Sequence, residues 1–74
     1  MLLPTETLGR RIARFRKERL LTQVKLAELA GLCPRYISDV ETGRKIPRMD
    51  TIARLAAGLR VSIGELVREG SDNV

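Results

Sequence analysis

The chain has 74 residues, which is enough for one small domain with a single hydrophobic core. Its 43% hydrophobic and 31% charged residues are typical of a globular, soluble domain. No stretch approaches the roughly 20 apolar residues of a membrane-spanning helix, and residues 1–9 lack the pattern of a secretory signal. With one cysteine, Cys33, and no histidine, the sequence lacks the residues of common zinc sites and of Cys–His or Ser–His catalytic pairs. We therefore expect no metal, no cofactor and no enzymatic activity.

Positive charge is concentrated in the first half of the chain. Fourteen basic and nine acidic residues give a net charge of +5, and residues 1–37 carry all of this excess. Eleven of the fourteen cations are arginines, which can bind phosphate through two parallel hydrogen bonds. This pattern favours nucleic acid as the partner, with an anionic membrane surface second. The alternative is that the excess charge only keeps the domain soluble.

Five segments with helical periodicity, and none with sustained strand-like alternation, predict an all-α fold. The first helix is predicted over residues 5–20, with Leu8, Ile12 and Phe15 on its buried stripe. A cationic cluster is predicted to be a solvated face of this helix, with a contact to a nucleic-acid backbone as the alternative; its members are Arg10, Arg11, Arg14 and Lys17. Arg16 lies between Ile12 and Leu20 beside the apolar stripe, so its charge needs a partner.

Two short helices follow, and a glycine separates them. The second is predicted over residues 23–30, with Thr22 as its N-cap and Gly31 as the residue that ends it. The third is predicted over residues 34–42, with Pro34 in its first position. Its inward side chains are Tyr36, Ile37 and Val40, and its outward polar side chains are Arg35, Ser38, Asp39 and Thr42. The pair is a helix-turn-helix pattern.

The last third of the sequence predicts a basic loop over residues 44–47 and two more helices. The fourth helix is predicted over residues 49–59. The short fifth helix begins at the capping box formed by Ser62 and Glu65 and carries an apolar face. Residues 1–74 are expected to form one domain with its core in residues 8–67, and residues 1–4 and 70–74 are expected to fray.

Many of these residues occur in a fixed order that is specific to one family. They are Leu8-Gly9, Ile12, Leu21-Thr22-Gln23, Leu26-Ala27, Gly31, Tyr36-Ile37-Ser38, Glu41, Gly43-Arg44, Pro47, Thr51-Ile52, Leu55-Ala56, Leu59, Val61-Ser62-Ile63 and Glu65-Leu66. In this order they closely resemble the Cro/repressor-type (XRE) helix-turn-helix family. The resemblance covers residues 8–67 and implies a five-helix, lambda-repressor-like DNA-binding domain. It also implies a two-fold dimer on a roughly palindromic operator, with helix three in the major groove and helix two across the backbone.

The resemblance places the base-reading positions at Pro34, Arg35, Ser38 and Asp39. Arg35 is expected to bind guanine, with a phosphate contact or a solvated charge as the alternative. Asp39 is expected either to accept from cytosine or to orient Arg35. The expected phosphate ligands are Gln23, Tyr36, Thr42, Arg44, Lys45 and Arg48, and a solvated basic loop is the alternative for the last three. The sequence departs from the common family pattern at Cys33, Pro34 and Arg48.

Two structural expectations complete this set. Arg16 is expected to pair with Glu41, an assignment that the resemblance also supports, and Arg19 is the competing partner. The apolar face of helix five and its surroundings are expected to form a dimer interface, which consists of Leu59, Val61, Ile63, Leu66 and Val67.

The function expected from these features is that of a homodimeric, sequence-specific transcriptional regulator that binds double-stranded DNA in the cytoplasm. Phage repressors and restriction–modification controller proteins fit best, and an activator would also contact RNA polymerase. The alternatives are a DNA-binding antitoxin and a protein-interaction module on the same fold. The 74 residues can also be the N-terminal piece of a longer regulator.

Overall fold

The computed structural model describes residues 6–67, so the predicted fraying of residues 1–4 and 70–74 lies outside the described residues. Its elements are α1 (Leu8–Glu18), α2 (Gln23–Ala30), α3 (Pro34–Glu41), α4 (Met49–Leu59) and α5 (Ile63–Val67). Within residues 6–67 there is no strand, and the prediction of an all-α fold with five helices is confirmed. α2 packs against both α3 and α4, and α5 packs against α1 and α4.

α1 is shorter than the predicted helix over residues 5–20. It begins at Leu8 because the Thr7 hydroxyl caps it by accepting from the Arg10 amide at 3.2 Å. It ends at Glu18 because Leu20 takes the left-handed conformation, with φ of 57°. The apolar stripe continues in sequence to Leu20, but the backbone leaves the helix first, and the Leu20 side chain is exposed.

The first four helices end in the same sharp turn. A left-handed residue follows each helix, and the next amide bonds back to a carbonyl five residues earlier. The bonds are Leu21 to Arg16, Leu32 to Ala27, Arg44 to Asp39 and Val61 to Ala56, each between 2.8 and 3.0 Å. These turns satisfy the last helical carbonyls and reverse the chain within a few residues, so that short helices can pack around one core.

Every helix contributes to that core. Its largest fully buried side chains are Ile12, Leu26, Ile37, Val40, Leu55, Leu59 and Leu66. The predicted dimer interface was therefore wrong at Leu59 and Leu66, because neither has exposed surface in the single chain. α5 is short, but its position against α1 and α4 is sufficient to bury Leu66 completely.

α1 and α3 come into close contact at Gly9. A Cβ atom built on this residue would lie 2.9 Å from the Glu41 carbonyl oxygen and closer still to that of Val40. Both neighbours are backbone atoms, so they cannot move aside as the end of a flexible side chain can. A residue without a side chain is therefore required where α1 crosses the C-terminal end of α3.

We expect Gly9→Ala to lower the free energy of unfolding by about 2–3 kcal/mol, because the methyl group must push α3 away from α1. Urea denaturation monitored by circular dichroism measures the loss. Gly64→Ala is the matched control, since its added Cβ would meet nothing closer than the Ser62 hydroxyl at 3.8 Å. Equal stability of Gly9→Ala and the parent chain would contradict the close packing.

Candidate nucleic-acid interface

The exposed side of α3 is polar, and Arg35 is its most prominent charged side chain. This side chain is 81% exposed, and its Nε atom lies 3.5 Å from Asp39 Oδ1, one helical turn later. The Asp39 side chain is only 11% exposed, so it is more buried than its predicted place among the outward side chains of α3 implied. Its burial leaves the carboxylate beside Arg35, and Nε is the guanidinium nitrogen nearest to it.

The first turn of α3 lacks a side-chain cap. Cys33 occupies the N-cap position and makes no capping hydrogen bond with its side chain, and Pro34 follows in the first turn. Pro34 has no amide hydrogen, so one donor that would need a partner at a helix start is absent. Cys33 and Pro34 are both exposed, and Ser38 is half-buried. The start of α3 is therefore exposed and has no side-chain cap.

A cationic loop follows the other end of α3. The amides of Arg44 and Lys45 both donate to the Asp39 carbonyl oxygen, at 2.8 and 3.2 Å, which folds the loop back over the helix. The side chains of Arg44, Lys45 and Arg48 are exposed, and none of the ion pairs within residues 6–67 involves them. The Lys45 ammonium lies 5.8 Å from the ring centre of Tyr36, which packs against the core.

Two other predicted phosphate ligands already have partners in the protein. The Thr42 hydroxyl donates to the Ser38 carbonyl oxygen at 2.9 Å. The Gln23 amide nitrogen donates to Glu41 Oε1 at 3.0 Å and is half-buried. Gln23 retains its amide oxygen and one N–H, so it can still donate once to an approaching phosphate.

Arg16 and Glu41 form a bidentate ion pair between α1 and α3. Arg16 Nε and Nη2 donate to the two Glu41 oxygens at 2.7 and 3.1 Å, and the side chains are 12% and 7% exposed. Arg16 Nη1 also donates to the Leu21 carbonyl oxygen at 2.8 Å. This is the pair expected from the position of Arg16 beside the apolar stripe. The competing residue, Arg19, lies instead over the Phe15 ring and near Glu18.

The cationic cluster of α1 is not one solvated face. Arg11 is 5% exposed and donates to the carbonyl oxygen of Leu66, so its prediction as a surface cation was wrong. The sequence did contain the signal, because Arg11 lies three residues after Leu8 and four before Phe15 on the apolar stripe. Arg14 donates twice to Glu6 at 2.9 Å; these bonds hold the pKa of the Glu6 carboxyl below its usual range and raise the pKa of Arg14.

The structure places the expected dimer residues that remain exposed around α5. Ile63 is 40% exposed, and Val61 and Val67 are half-buried at the edge of the core.

Within residues 6–67, no three His, Cys, Asp or Glu side chains are placed to share a metal ion. In the same range, no helix has the length and apolar character needed to cross a bilayer.

The helix-turn-helix arrangement of α2 and α3 is also found when the sequence is compared with known protein families. The helix-turn-helix family profile matches residues 12–66, which is most of the chain. The chain belongs to the helix-turn-helix family. Its fold is the lambda-repressor-like arrangement of five helices, as the resemblance implied.

Three similar proteins illustrate the relationship. The immunity repressor protein of Bacillus phage phi105 is 43% identical over 63 residues, which cover 85% of this chain and 44% of the repressor. The restriction–modification controller protein C.AhdI from Aeromonas hydrophila superposes with a TM-score of 0.78 at 34% identity and covers 80% of this chain and 89% of its own. SinR, a master regulator for biofilm formation solved in complex with DNA, has a TM-score of 0.77 at 33% identity. The superposition covers 81% of this chain and 97% of the SinR chain. The chain thus spans less than half of the phage repressor's length.

We expect Glu41→Gln to lower the free energy of unfolding by about 3 kcal/mol, because Arg16 would keep a largely buried charge without its counterion. Glu28→Gln is the control: it removes a carboxylate that pairs with Lys25 at the surface, and we expect a loss below about 0.5 kcal/mol. Urea denaturation of Glu41→Gln, Arg16→Met and the double variant completes a mutant cycle. A coupling energy below about 0.5 kcal/mol would show that the two charges act independently.

Proposed function

We propose that this chain is a sequence-specific DNA-binding transcriptional regulator that binds a roughly palindromic operator as a homodimer. In this proposal α3 enters the major groove and α2 crosses the backbone. Arg35 reads a base, Ser38 and Pro34 shape the same contact surface, and Asp39 orients Arg35. The chain would act in the cytosol of a prokaryote, where phage or host operators are accessible.

The observation that carries this proposal is the combination of Arg35 with the loop after α3. Arg35 is the exposed member of the α3 ion pair, and Asp39 engages its Nε atom. The Nη1 and Nη2 donors are therefore available as a fork, the geometry that matches O6 and N7 of guanine. The exposed cations Arg44, Lys45 and Arg48 lie just beyond, where phosphates flank a groove. Gln23 and the Tyr36 hydroxyl would add phosphate contacts, whereas the Thr42 hydroxyl already bonds to its own helix.

A two-fold dimer is proposed through the apolar residues that remain available around α5. These are Val61, Ile63 and Val67, since Leu59 and Leu66 are fully buried in the single chain. A two-fold axis through this end would place two copies of α3 about 34 Å apart, one turn of DNA. The similar phage repressor and controller protein favour a repressor or controller role over an antitoxin.

A protein-interaction module on the same fold is the competing function, and an activator would additionally contact RNA polymerase. Repeated selection of bound duplexes from a random pool distinguishes base reading from protein bridging. We expect enrichment of two related half-sites at a fixed spacing of about one helical turn. A selected pool without any common sequence would exclude the proposed regulator.

We expect Arg35→Ala to weaken binding to the selected duplex by about 1–3 kcal/mol and to relax the preference at one or two base pairs, because the hydrogen bonds to guanine are removed. Fluorescence anisotropy with the selected duplex and with a random duplex measures both affinities. Arg54→Ala removes the same charge from the exposed side of α4 and is the control. If Arg35→Ala weakens both duplexes equally, Arg35 contacts phosphate and reads no base.

We expect Arg44→Ala and Lys45→Ala to weaken binding to all duplexes alike, because phosphate contacts carry no sequence information. The plot of log affinity against log salt should become shallower by roughly one for each phosphate that is no longer neutralised. Titrations at four salt concentrations measure this slope, again beside Arg54→Ala. An unchanged slope would identify the loop as a solvated basic segment.

A further inference from the structure

Arg11 lies buried between the start of α1 and α5. Its Nη1 donates to the Leu66 carbonyl oxygen at 3.2 Å, its Nη2 to the Glu6 carbonyl oxygen at 3.1 Å, and its Nε to the Glu6 carboxylate at 3.4 Å. Taking a guanidinium out of water is costly unless its donors are used, and here each nitrogen donates to an oxygen. None of these hydrogen bonds involves α2 or α3.

The hydrogen bond to Leu66 fixes the end of a very short helix. α5 has five residues, too few to be stable without tertiary contacts. Its first turn is held by Ser62 and Glu65, whose side chains and amides bond reciprocally at 3.0 Å. At its other end Arg11 supplies a positively charged donor to a helical carbonyl, where the helix dipole favours a cation. The two ends of α5 are thus held by different groups.

The rotation of α5 determines which side chains it presents. Leu66 points into the core with no exposed surface, whereas Ile63 is 40% exposed and Val67, one turn later, is half-buried. Ile63 and Val67 lie on one side of the helix because residues four apart share a face. A change in the rotation of α5 would therefore move both residues together, and the carbonyl held by Arg11 lies next to Val67 in the chain.

We infer that Arg11 is a positioning residue for the dimer interface, which holds α5 in the rotation that presents Ile63 and Val67 to a second copy of the chain. This inference rests on the proposed homodimer. With only 5% of its surface exposed, Arg11 is itself hardly accessible to DNA or to the partner copy. It acts through the backbone of α5, and so its removal should affect the association of two chains more than the binding of one chain to a half-site.

The test compares dimer dissociation constants by sedimentation over a concentration series, with circular dichroism confirming that each chain is folded at the temperature used. Arg11→Met keeps an unbranched stem but has no donor, and Arg11→Lys keeps the charge with a single ammonium. Ile52→Val is the control, since it trims a buried core side chain of α4 that takes no part in the hydrogen bonds of Arg11. Binding to a duplex with a single half-site is measured for all four chains.

We expect Arg11→Met to raise the dimer dissociation constant at least tenfold, Arg11→Lys to recover part of the loss, and Ile52→Val to stay within threefold of the parent chain. Half-site binding by the Arg11 variants should stay within threefold. If Arg11→Met does not fold, Arg11→Lys decides: a rise of threefold or more supports the inference, and no change overturns it. Equal weakening by Ile52→Val, or no weakening by Arg11→Met, also overturns it. A parent chain that is monomeric at every concentration refutes the homodimer itself.

Discussion

The structure depends on one carboxylate that three helices share. Glu41, at the end of α3, accepts two hydrogen bonds from Arg16 of α1 and one from Gln23 at the start of α2. With 7% of its side chain exposed, Glu41 would be costly as a lone charge, and the three donors offset that cost. Arg16 also binds the Leu21 carbonyl, so the turn between α1 and α2 belongs to the same network. The ends of three helices are thereby fixed relative to one another.

These contacts matter because α3 has little stability or defined orientation without them. It has eight residues, a length at which an isolated helix is barely populated, and its N-cap makes no side-chain bond. Its position comes from Ile37 and Val40 in the core, from the approach of α1 at Gly9, and from Glu41. The same packing leaves Arg35 on the opposite side of α3 largely exposed. A rigid helix with an accessible polar face is what reading of base edges requires, since a donor that is displaced by an ångström loses its hydrogen bonds.

The sequence alone could predict features that depend on a single helix or turn. It could not predict features that depend on which other helices pack against that element. Periodicity and capping residues located α2, α4 and the Ser62–Glu65 box. The place of Arg16 beside the apolar stripe of α1 showed that its charge needed a partner. The periodicity of α3 placed Asp39 among the outward side chains, whereas in the fold its side chain is only 11% exposed and lies beside Arg35. Periodicity also missed the burial of Leu66, because whether α5 buries its apolar side internally depends on where α1 lies, and no local pattern contains that information. Arg11 is different, since its place on the apolar stripe of α1 was a local signal of burial.

Charge shows most clearly how the fold changes the meaning of composition. The first half of the sequence has the net positive charge, and residues 38–74 are neutral by count. In the folded chain, however, Arg11, Arg14 and Arg16 form ion pairs with Glu6 and Glu41, so these three arginines are engaged within the protein. In the second half Asp39 and Glu41 are largely buried, whereas Arg44, Lys45 and Arg48 are exposed and unpaired within the described residues. The second half therefore presents a cluster of exposed positive charge after α3 that its neutral residue count conceals.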